Sequence, residues 1–457
     1  MAEKGPITEL IALMKLGRDS DLAEKLEEMP VQDIAEAISQ LDDESDRLTV
    51  FMTLPEERRT DTFSYLSHGL QRLMLSDLEN REARRTLREL VPDDRTAFLE
   101  SLDAEDLEGF LKLLGPEDLK QSLKLLGYPE ESIGRLMTPR FVSVRPQWTV
   151  ARALDHIRHE ADRGETVNFV FVTDDRGRLV DAVKLKDFIL SRQDAKVETL
   201  MDEEYYSVQA SADREEAVQV IQHYDINTLA VTDKNGVMLG IVTVDDIMDV
   251  AEQETTEDFH KLGATGSMNI SIREATAGFL YRKRIGWLMI LVFVNLISGL
   301  AIAMFEDAIE AVIALVFFLP LIIASAGNAG SQSATLMVRA LATGDVETTD
   351  WLRMWGKEFS VALGLGLTMA IAVSMIGVWR GGPELGMQLA MVVGFAMLAV
   401  VIMGAMIGVL LPFMLQRLNM DPATASTPLI TSVADVVGIL IYFSIASAIL
   451  TLPSPIS

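Results

Sequence analysis

No cysteine occurs in the 457-residue sequence, which excludes a disulfide framework, thiol catalysis and any zinc site built on thiolates. Histidine is nearly as scarce, with five residues scattered along the chain. No glycine-rich phosphate loop precedes a helical pattern, so nothing in the sequence supports an enzyme. The first residues, MAEKGPITEL, lack a basic segment followed by an apolar core. A secretory signal is therefore not expected, and the polar part of the chain is expected to stay in the cytoplasm. Positive charge is also short: 40 Lys and Arg against 67 Asp and Glu, a net charge of −27. That balance argues against a nucleic-acid partner and favours cations.

The deficit is uneven. From residue 280 onward there are eight basic and ten acidic residues, leaving 32 basic and 57 acidic before it. An acidic soluble part is thus joined to a nearly neutral, apolar part.

Within the soluble part, residues 1 to about 130 carry a recurring phrase: Met29-Pro30-Val31-Gln32-Asp33, Leu54-Pro55-Glu56-Glu57, Val91-Pro92-Asp93-Asp94 and Gly115-Pro116-Glu117-Asp118. Each predicts a helix start with proline at the first helical position and carboxylates in the first turn, where the helix dipole favours them. Apolar residues at helical spacing follow, as in Ile34, Ala37, Ile38 and Leu41. The expected architecture is an all-α superhelical stack over 1–130.

Residues 131–251 contain a duplication. Leu136-Met137 with Val142-Ser143-Val144 matches Leu200-Met201 with Tyr206-Ser207-Val208, and Phe171-Val172-Thr173-Asp174 matches Ala230-Val231-Thr232-Asp233. The offset drops from 64 to 59, so the first copy has five extra residues near Gly164-Glu165-Thr166. Each copy reads strand, helix, strand, turn, strand, helix. This resembles a tandem pair of CBS domains, over about 135–195 and 196–251. The second copy keeps the family ending at Gly240, Ile241, Val242, Thr243 and Asp246, whereas Lys184 replaces the threonine in the first, which retains Asp187. The resemblance implies a nucleotide site at Thr243, Asp246 and Asp187, with ATP as its candidate ligand, weakened by that replacement.

The run DDIMDVAEQETTED, residues 245–258, holds seven carboxylates. On a helix these repel one another, and a divalent cation with oxygen ligands would relieve the repulsion. A solvated acidic face is the plainer alternative.

Five stretches beyond residue 280 are long and apolar enough to span a bilayer: Ile285–Phe305, Ala308–Ala326, Phe359–Val378, Leu385–Leu411 and Pro428–Leu450. Placing Arg282, Lys283 and Arg284 in the cytoplasm puts Arg339, Arg353, Lys357 and Arg417 there too, against Arg380 outside. This satisfies the positive-inside rule and leaves the C-terminus outside. One ionisable residue, Asp435, falls deep within these stretches. A carboxylate at the bilayer centre costs about 3 kcal/mol on insertion scales and marks a cation or proton path. The polar segment ASAGNAGSQSAT, residues 324–335, follows an equally apolar stretch. Such groups need partners or a wet cavity. Asn328, Ser331 and Thr335 can share one helix face.

Three motifs in order resemble the MgtE family of magnesium channels and transporters. They are Thr243-Val244-Asp245-Asp246 with Thr256-Glu257-Asp258-x-His260-Lys261-Leu262-Gly263; Gly327-Asn328-Ala329-Gly330-Ser331-Gln332-Ser333-Ala334-Thr335 with Arg339-Ala340-Leu341-Ala342; and Asp421-Pro422-Ala423 leading to Ala434-Asp435-x-x-Gly438-x-Leu440-Ile441-Tyr442. The resemblance implies a multidomain fold: an all-α superhelical N-domain (1–130), an α/β CBS pair (131–251), an acidic linker or plug helix (252–279, its helical part about 252–274 and ending near Arg273 and Glu274), and an α-helical membrane domain with five transmembrane helices (280–457).

It further implies a homodimer in the cell's inner membrane, with a Mg²⁺ pore at the interface. The implied pore residues are Asp435, Gly327, Asn328, Ser331, Gln332, Thr335, Thr427 and Thr431. Regulatory Mg²⁺ would bind at Asp93, Asp94, Glu215, Asp225, Asp246, Asp249, Glu254, Glu257 and Asp258. Ser331 and Thr427 stand where some relatives have asparagine, and Gln222 where one has glutamate. Carriage of Mn²⁺, Co²⁺ or Ni²⁺ is the nearest alternative. A membrane-anchored nucleotide sensor and an anion transporter are more distant ones, and Asp435 argues against both.

Overall fold

The computed structural model describes residues 10, 12–13, 19–41, 43–160, 164–266, 268, 272, 275–418 and 420–450. Arg273 and Glu274, the expected end of the linker helix, lie outside these. The chain divides into two compact units, Met1–Ala251 and Glu252–Ser457.

The first unit begins with short helices: α1 (Asp19–Glu28), α2 (Val31–Gln40), α3 (Glu44–Thr53), α4 (Glu56–Ser64), α5 (His68–Asp77), α6 (Asn80–Glu89), α7 (Pro92–Glu100), α8 (Ala104–Leu111) and α9 (Pro116–Leu126). Ile34, Ala37, Ile38 and Leu41 are buried as their spacing predicts. Phe51, Phe63, Phe98 and Phe110 follow one another through the core at centroid distances of 6.3, 6.2 and 5.5 Å, the first pair tilted and the other two edge-on. The proline rule holds in part. Pro92 and Pro116 open their helices, whereas Pro30 and Pro55 stand one residue earlier as N-caps with ψ of 145°. The fixed proline φ suits either position, because neither requires the missing N–H.

The duplicated segment forms two three-stranded sheets. In the first, β1 (Ser143–Val144) pairs parallel to β2 (Phe169–Thr173), which pairs antiparallel to β3 (Leu179–Lys184). In the second, β4 (Ser207–Gln209), β5 (Thr228–Thr232) and β6 (Met238–Thr243) repeat the pattern. The repeat extends to its irregularities: a register shift falls at Val172/Thr173 and again at Val231/Thr232. Gly177 and Gly236 occupy the same turn at φ 77° and 78°, a left-handed conformation that favours glycine. The two turns bond each other, with Leu179 N donating to Gly236 O and Met238 N to Gly177 O, both at 3.0 Å. Helices α10 (Ile133–Leu136), α11 (Val150–Glu160), α12 (Leu185–Leu190) and α13 (Arg214–Tyr224) complete the pair. Helix α14 (Val244–Leu262) starts at the end of β6 and continues into the second unit.

The second unit is helical: α15 (Ala277–Ala303), α16 (Glu306–Ala311), α17 (Ala314–Ala342), α18 (Thr348–Pro383), α19 (Leu385–Arg417) and α20 (Thr427–Ile449). All but α16 are long and apolar enough to cross a membrane. Their bounds correct the hydropathy reading. Arg282, Lys283 and Arg284 lie inside α15 rather than before it, the short α16 takes up Glu306–Ala311, and α17 runs on through the whole polar segment to Ala342. Hydropathy marks only the part of a helix that suits lipid, and polar residues carry the same helix into the interface. Helix α18 likewise begins well before Phe359, so Glu358 lies within it. Glu358 lies near the start of that helix, one residue before the apolar stretch, whereas Asp435 sits well inside α20. Between α18 and α19 the backbone breaks at Gly382, φ 63°.

Candidate ion pathway and acidic clusters

Helix α17 packs at backbone distance against its neighbours because its glycines leave room. A Cβ on Gly327 would lie 3.0 Å from Thr431 Cγ2 of α20. On α19, Cβ atoms at Gly404 and Gly408 would lie 2.2 Å from Ala326 O and 2.1 Å from Gly330 O, inside van der Waals contact. The Gly404-x-x-x-Gly408 pair is the small-residue spacing that lets membrane helices approach. Tyr442 Oη donates to Leu315 O at 2.9 Å and ties α20 to the first turn of α17.

With those faces covered, Asn328, Ser331, Gln332 and Thr335 are left on one side of α17. Asn328, Gln332 and Thr335 are exposed, and Ser331 beside them is half-buried. The Ser331 hydroxyl is enclosed and without a partner among the described residues, whereas Thr335 donates back to Ser331 O at 2.8 Å. On α20, Thr427 is the first helical residue and exposed, and Thr431 donates to Pro428 O at 3.0 Å. Asp435 follows Thr431 by one turn, half-buried, and is the one carboxylate on that helix. Among the described residues, no hydrogen bond reaches its carboxylate.

The first acidic cluster lies in the unit Met1–Ala251. Asp93 and Asp94 start α7, where the helix dipole favours them, yet Asp93 is 7% exposed and its Oδ1 has no partner among the described residues. Burial, and then the neighbouring Asp246, Asp94 and Glu165, hold the Asp93 carboxyl well above its ordinary range. Asp94 is pushed up to about 6 by burial and by Glu165, Asp245 and Asp249. Asp246 rises to about 7, mainly through burial, although the Thr243 hydroxyl donates to its Oδ2 at 2.9 Å. Glu165 was not among the expected ligands. It comes from the five-residue excess of the first copy, and burial raises it too.

A second cluster lies in the unit Glu252–Ser457. The end of α14 places Leu262 against Ala334, Val338, Ala423, Ala425 and Ile430. Lys261 Nζ is 2.6 Å from Glu257 Oε1 and also reaches Asp421, whose other oxygen accepts from Ala423 N at 2.8 Å. Asp258 is pushed up to about 6 by burial and then by Asp421. Glu254 adds to the same repulsion.

Other expected residues are not gathered in this way. Glu215 opens α13 and Asp225 caps its far end in the left-handed region. Eleven residues separate the ends of that helix by about 15 Å, too far for one ion to bridge both in one chain. Asp187 lies in the first turn of α12. Among the described residues, no three His, Asp or Glu side chains converge closely enough to cage a bare metal ion.

Five apolar helices, a carboxylate without a bonding partner on one of them, and buried acidic clusters define a multi-pass membrane protein of the cation-handling class. The sequence comparisons agree. A divalent cation transporter family model matches residues 319–445, an MgtE intracellular N domain model residues 9–131, and CBS domain models residues 133–193 and 197–252. The magnesium transporter MgtE of Thermus thermophilus is 40% identical over 323 residues, 71% of each chain. That of Bacillus subtilis is 32% identical over 97% of each. The crystal structure of the cytosolic domain of the Mg²⁺ channel MgtE in complex with ATP covers 53% of this chain and 99% of its own, at 32% identity and a TM-score of 0.51. The chain belongs to the MgtE family.

Proposed function

We propose that the chain carries Mg²⁺ across the cell membrane along the polar face of α17 and past Asp435, and that intracellular Mg²⁺ bound at the acidic clusters closes this path. The single observation that carries the transport reading is Asp435, a half-buried carboxylate with no bonding partner among the described residues, one turn beyond the Thr431–Gly327 contact. Mg²⁺ sheds its waters reluctantly. A few oxygens from Asp435, Asn328, Ser331, Gln332, Thr335, Thr427 and Thr431 then suffice to contact a hydrated ion, and Gly327 keeps the helices close.

The exposed polar stripe of α17 supports a homodimer, since a second copy across a twofold axis would enclose it and add a second Asp435. The charge balance of the loops supports a cytoplasmic soluble unit and a C-terminus outside.

The clusters fit a regulatory cation. Asp93 offers a buried oxygen without a partner, and the carboxyls of Asp94, Asp246 and Asp258 are raised by burial and then by neighbouring carboxylates, both of which a divalent ion would offset. Asp249, Glu254 and Glu257 lie on the same helix, and Glu215 and Asp225 would serve separate ions. The nucleotide reading is weaker. Thr243 already donates to Asp246, and Lys184 fills the threonine position of the other copy.

The test of the transport reading is Mg²⁺ flux through the purified full chain in liposomes. Asp435→Ala is expected to lower flux at least about 100-fold, on the scale of losing a carboxylate at the ion site, with assembly unchanged. Uptake at the unmodified rate would sink the reading.

A further inference from the structure

Glu358 is a carboxylate that the transport reading leaves without a role. It lies on α18, and its Oε1 is 2.7 Å from Ser333 Oγ of α17. Ser333 is 4% exposed, and its hydroxyl also lies 2.9 Å from Ala329 O. Among the described residues, Ser333 is the only side chain that bonds the Glu358 carboxylate. A partly buried carboxylate is costly unless hydrogen-bonded, so its retention against one serine calls for a reason.

The geometry of α17 supplies one. At about 100° per residue, Asn328, Ser331, Gln332 and Thr335 fall within roughly 60° of one direction. Gly327 and Gly330 point about 100° and 160° to one side of it, where they meet Thr431, Gly404 and Ile430. Ser333 points about 140° to the other side. The glycine contacts set how closely α17 approaches α19 and α20, but smooth glycine surfaces resist rotation weakly. Ser333 thus lies on the back of the helix, about 60° from Gly330, and its bond to Glu358 is a polar contact to α18 roughly opposite the stripe.

We infer that Glu358 is a positioning residue for cation passage: by bonding Ser333 it fixes the rotation of α17, so that Asn328, Ser331, Gln332 and Thr335 face the ion path. The inference rests on the reading of that stripe as the lining of the path. Glu358 itself need not touch the ion.

The experiment compares Mg²⁺ and Mn²⁺ flux through the full chain in liposomes for Glu358→Ala, Glu358→Gln, Ser333→Ala and the double alanine variant, with unfolding temperature recorded in detergent. Asn328→Ala serves as the control for the stripe. Glu358→Ala is expected to lower Mg²⁺ flux about tenfold, the scale of one charge-assisted hydrogen bond, and to change the Mg²⁺-to-Mn²⁺ ratio. The double variant should match the singles, because one bond is lost in each, and Glu358→Gln should keep most activity. An unchanged ion ratio, with both fluxes falling in step with folded protein, would make the bond a mere brace and overturn the inference. So would additive losses in the double variant. If Asn328→Ala leaves both fluxes intact, the lining of the path is what fails; if it lowers them while Glu358→Ala does not, only the inference fails.

Discussion

The carboxylates around Asp246 and those around Asp421 are similarly crowded, yet they are balanced differently. Near Asp421 the chain supplies its own cation: Lys261 bridges Glu257 and Asp421. Around Asp246, among the described residues, no ion pair reaches Asp93, Asp94 or Asp246 itself, and Asp93 keeps an oxygen without a partner. Removing such a group from water costs several kcal/mol unless it is neutralised or paired. The difference suggests a division of labour. On the proposed gating the first cluster takes up an external ion, whereas the second holds the end of α14 against Asp421 with a built-in one.

The largest expected effect comes from removing charge in the first cluster. In the double variant Asp93→Asn with Asp246→Asn, external cations lose their main reason to bind. Flux through the full chain should then no longer fall as Mg²⁺ on the soluble side is raised, while flux at low Mg²⁺ stays near its starting rate. The same variant should unfold at a higher temperature than the parent in chelator, because the repulsion is gone. If Mg²⁺ still closes the path with its usual midpoint, the first cluster is not the sensor.

A smaller effect should appear as pH dependence. The folded chain keeps protons on Asp94 up to about 6 and on Asp246 up to about 7, whereas unfolded carboxyls release them near 4. Between those limits the folded state binds more protons, so stability without divalent cations falls as pH rises from 4 to 7. The expected total is on the order of a few kcal/mol. Asp258 adds in the same direction. Saturating Mg²⁺ should flatten the curve, because it stabilises the charged forms that pH creates. Thermal unfolding of the full chain in detergent at several pH values measures this. Stability that rises with pH in chelator would contradict the raised carboxyls.

How much of this was legible beforehand depends on the range of the interaction. The duplication of the CBS pair was readable from an offset of 59, and the structure repeats even the register shifts and the Gly177 and Gly236 turns. Local rules placed Asp93 and Asp94 at the start of α7, but not their burial. The five extra residues near Glu165 were visible, while their meaning was not, because Glu165 meets Asp94 and Asp245 only through tertiary folding. The polar segment of α17 was readable as an unusual wet stretch. Which of its residues face outward depends on partners distant in sequence, Gly404 and Gly408 on α19 and Glu358 on α18, which nothing local to the segment marks. Glu358 escaped because an apolar window ends beside it.

The smallest effect tests the second cluster with the opposite sign. Lys261→Ala removes the ammonium from between Glu257 and Asp421 and leaves Asp258 facing Asp421 without compensation. The pair is about one-third exposed, so solvent screening limits its net contribution to about 1 kcal/mol. In chelator the variant should therefore unfold a few degrees below the parent, whereas the Asp93 and Asp246 variant unfolds above it. Added Mg²⁺ should restore more stability in Lys261→Ala than in the parent, since a divalent ion no longer competes with a tethered one. If Lys261→Ala instead unfolds at a higher temperature in chelator, desolvation of the ammonium outweighs its two contacts. The two clusters would then share one design, both under strain until an external cation arrives.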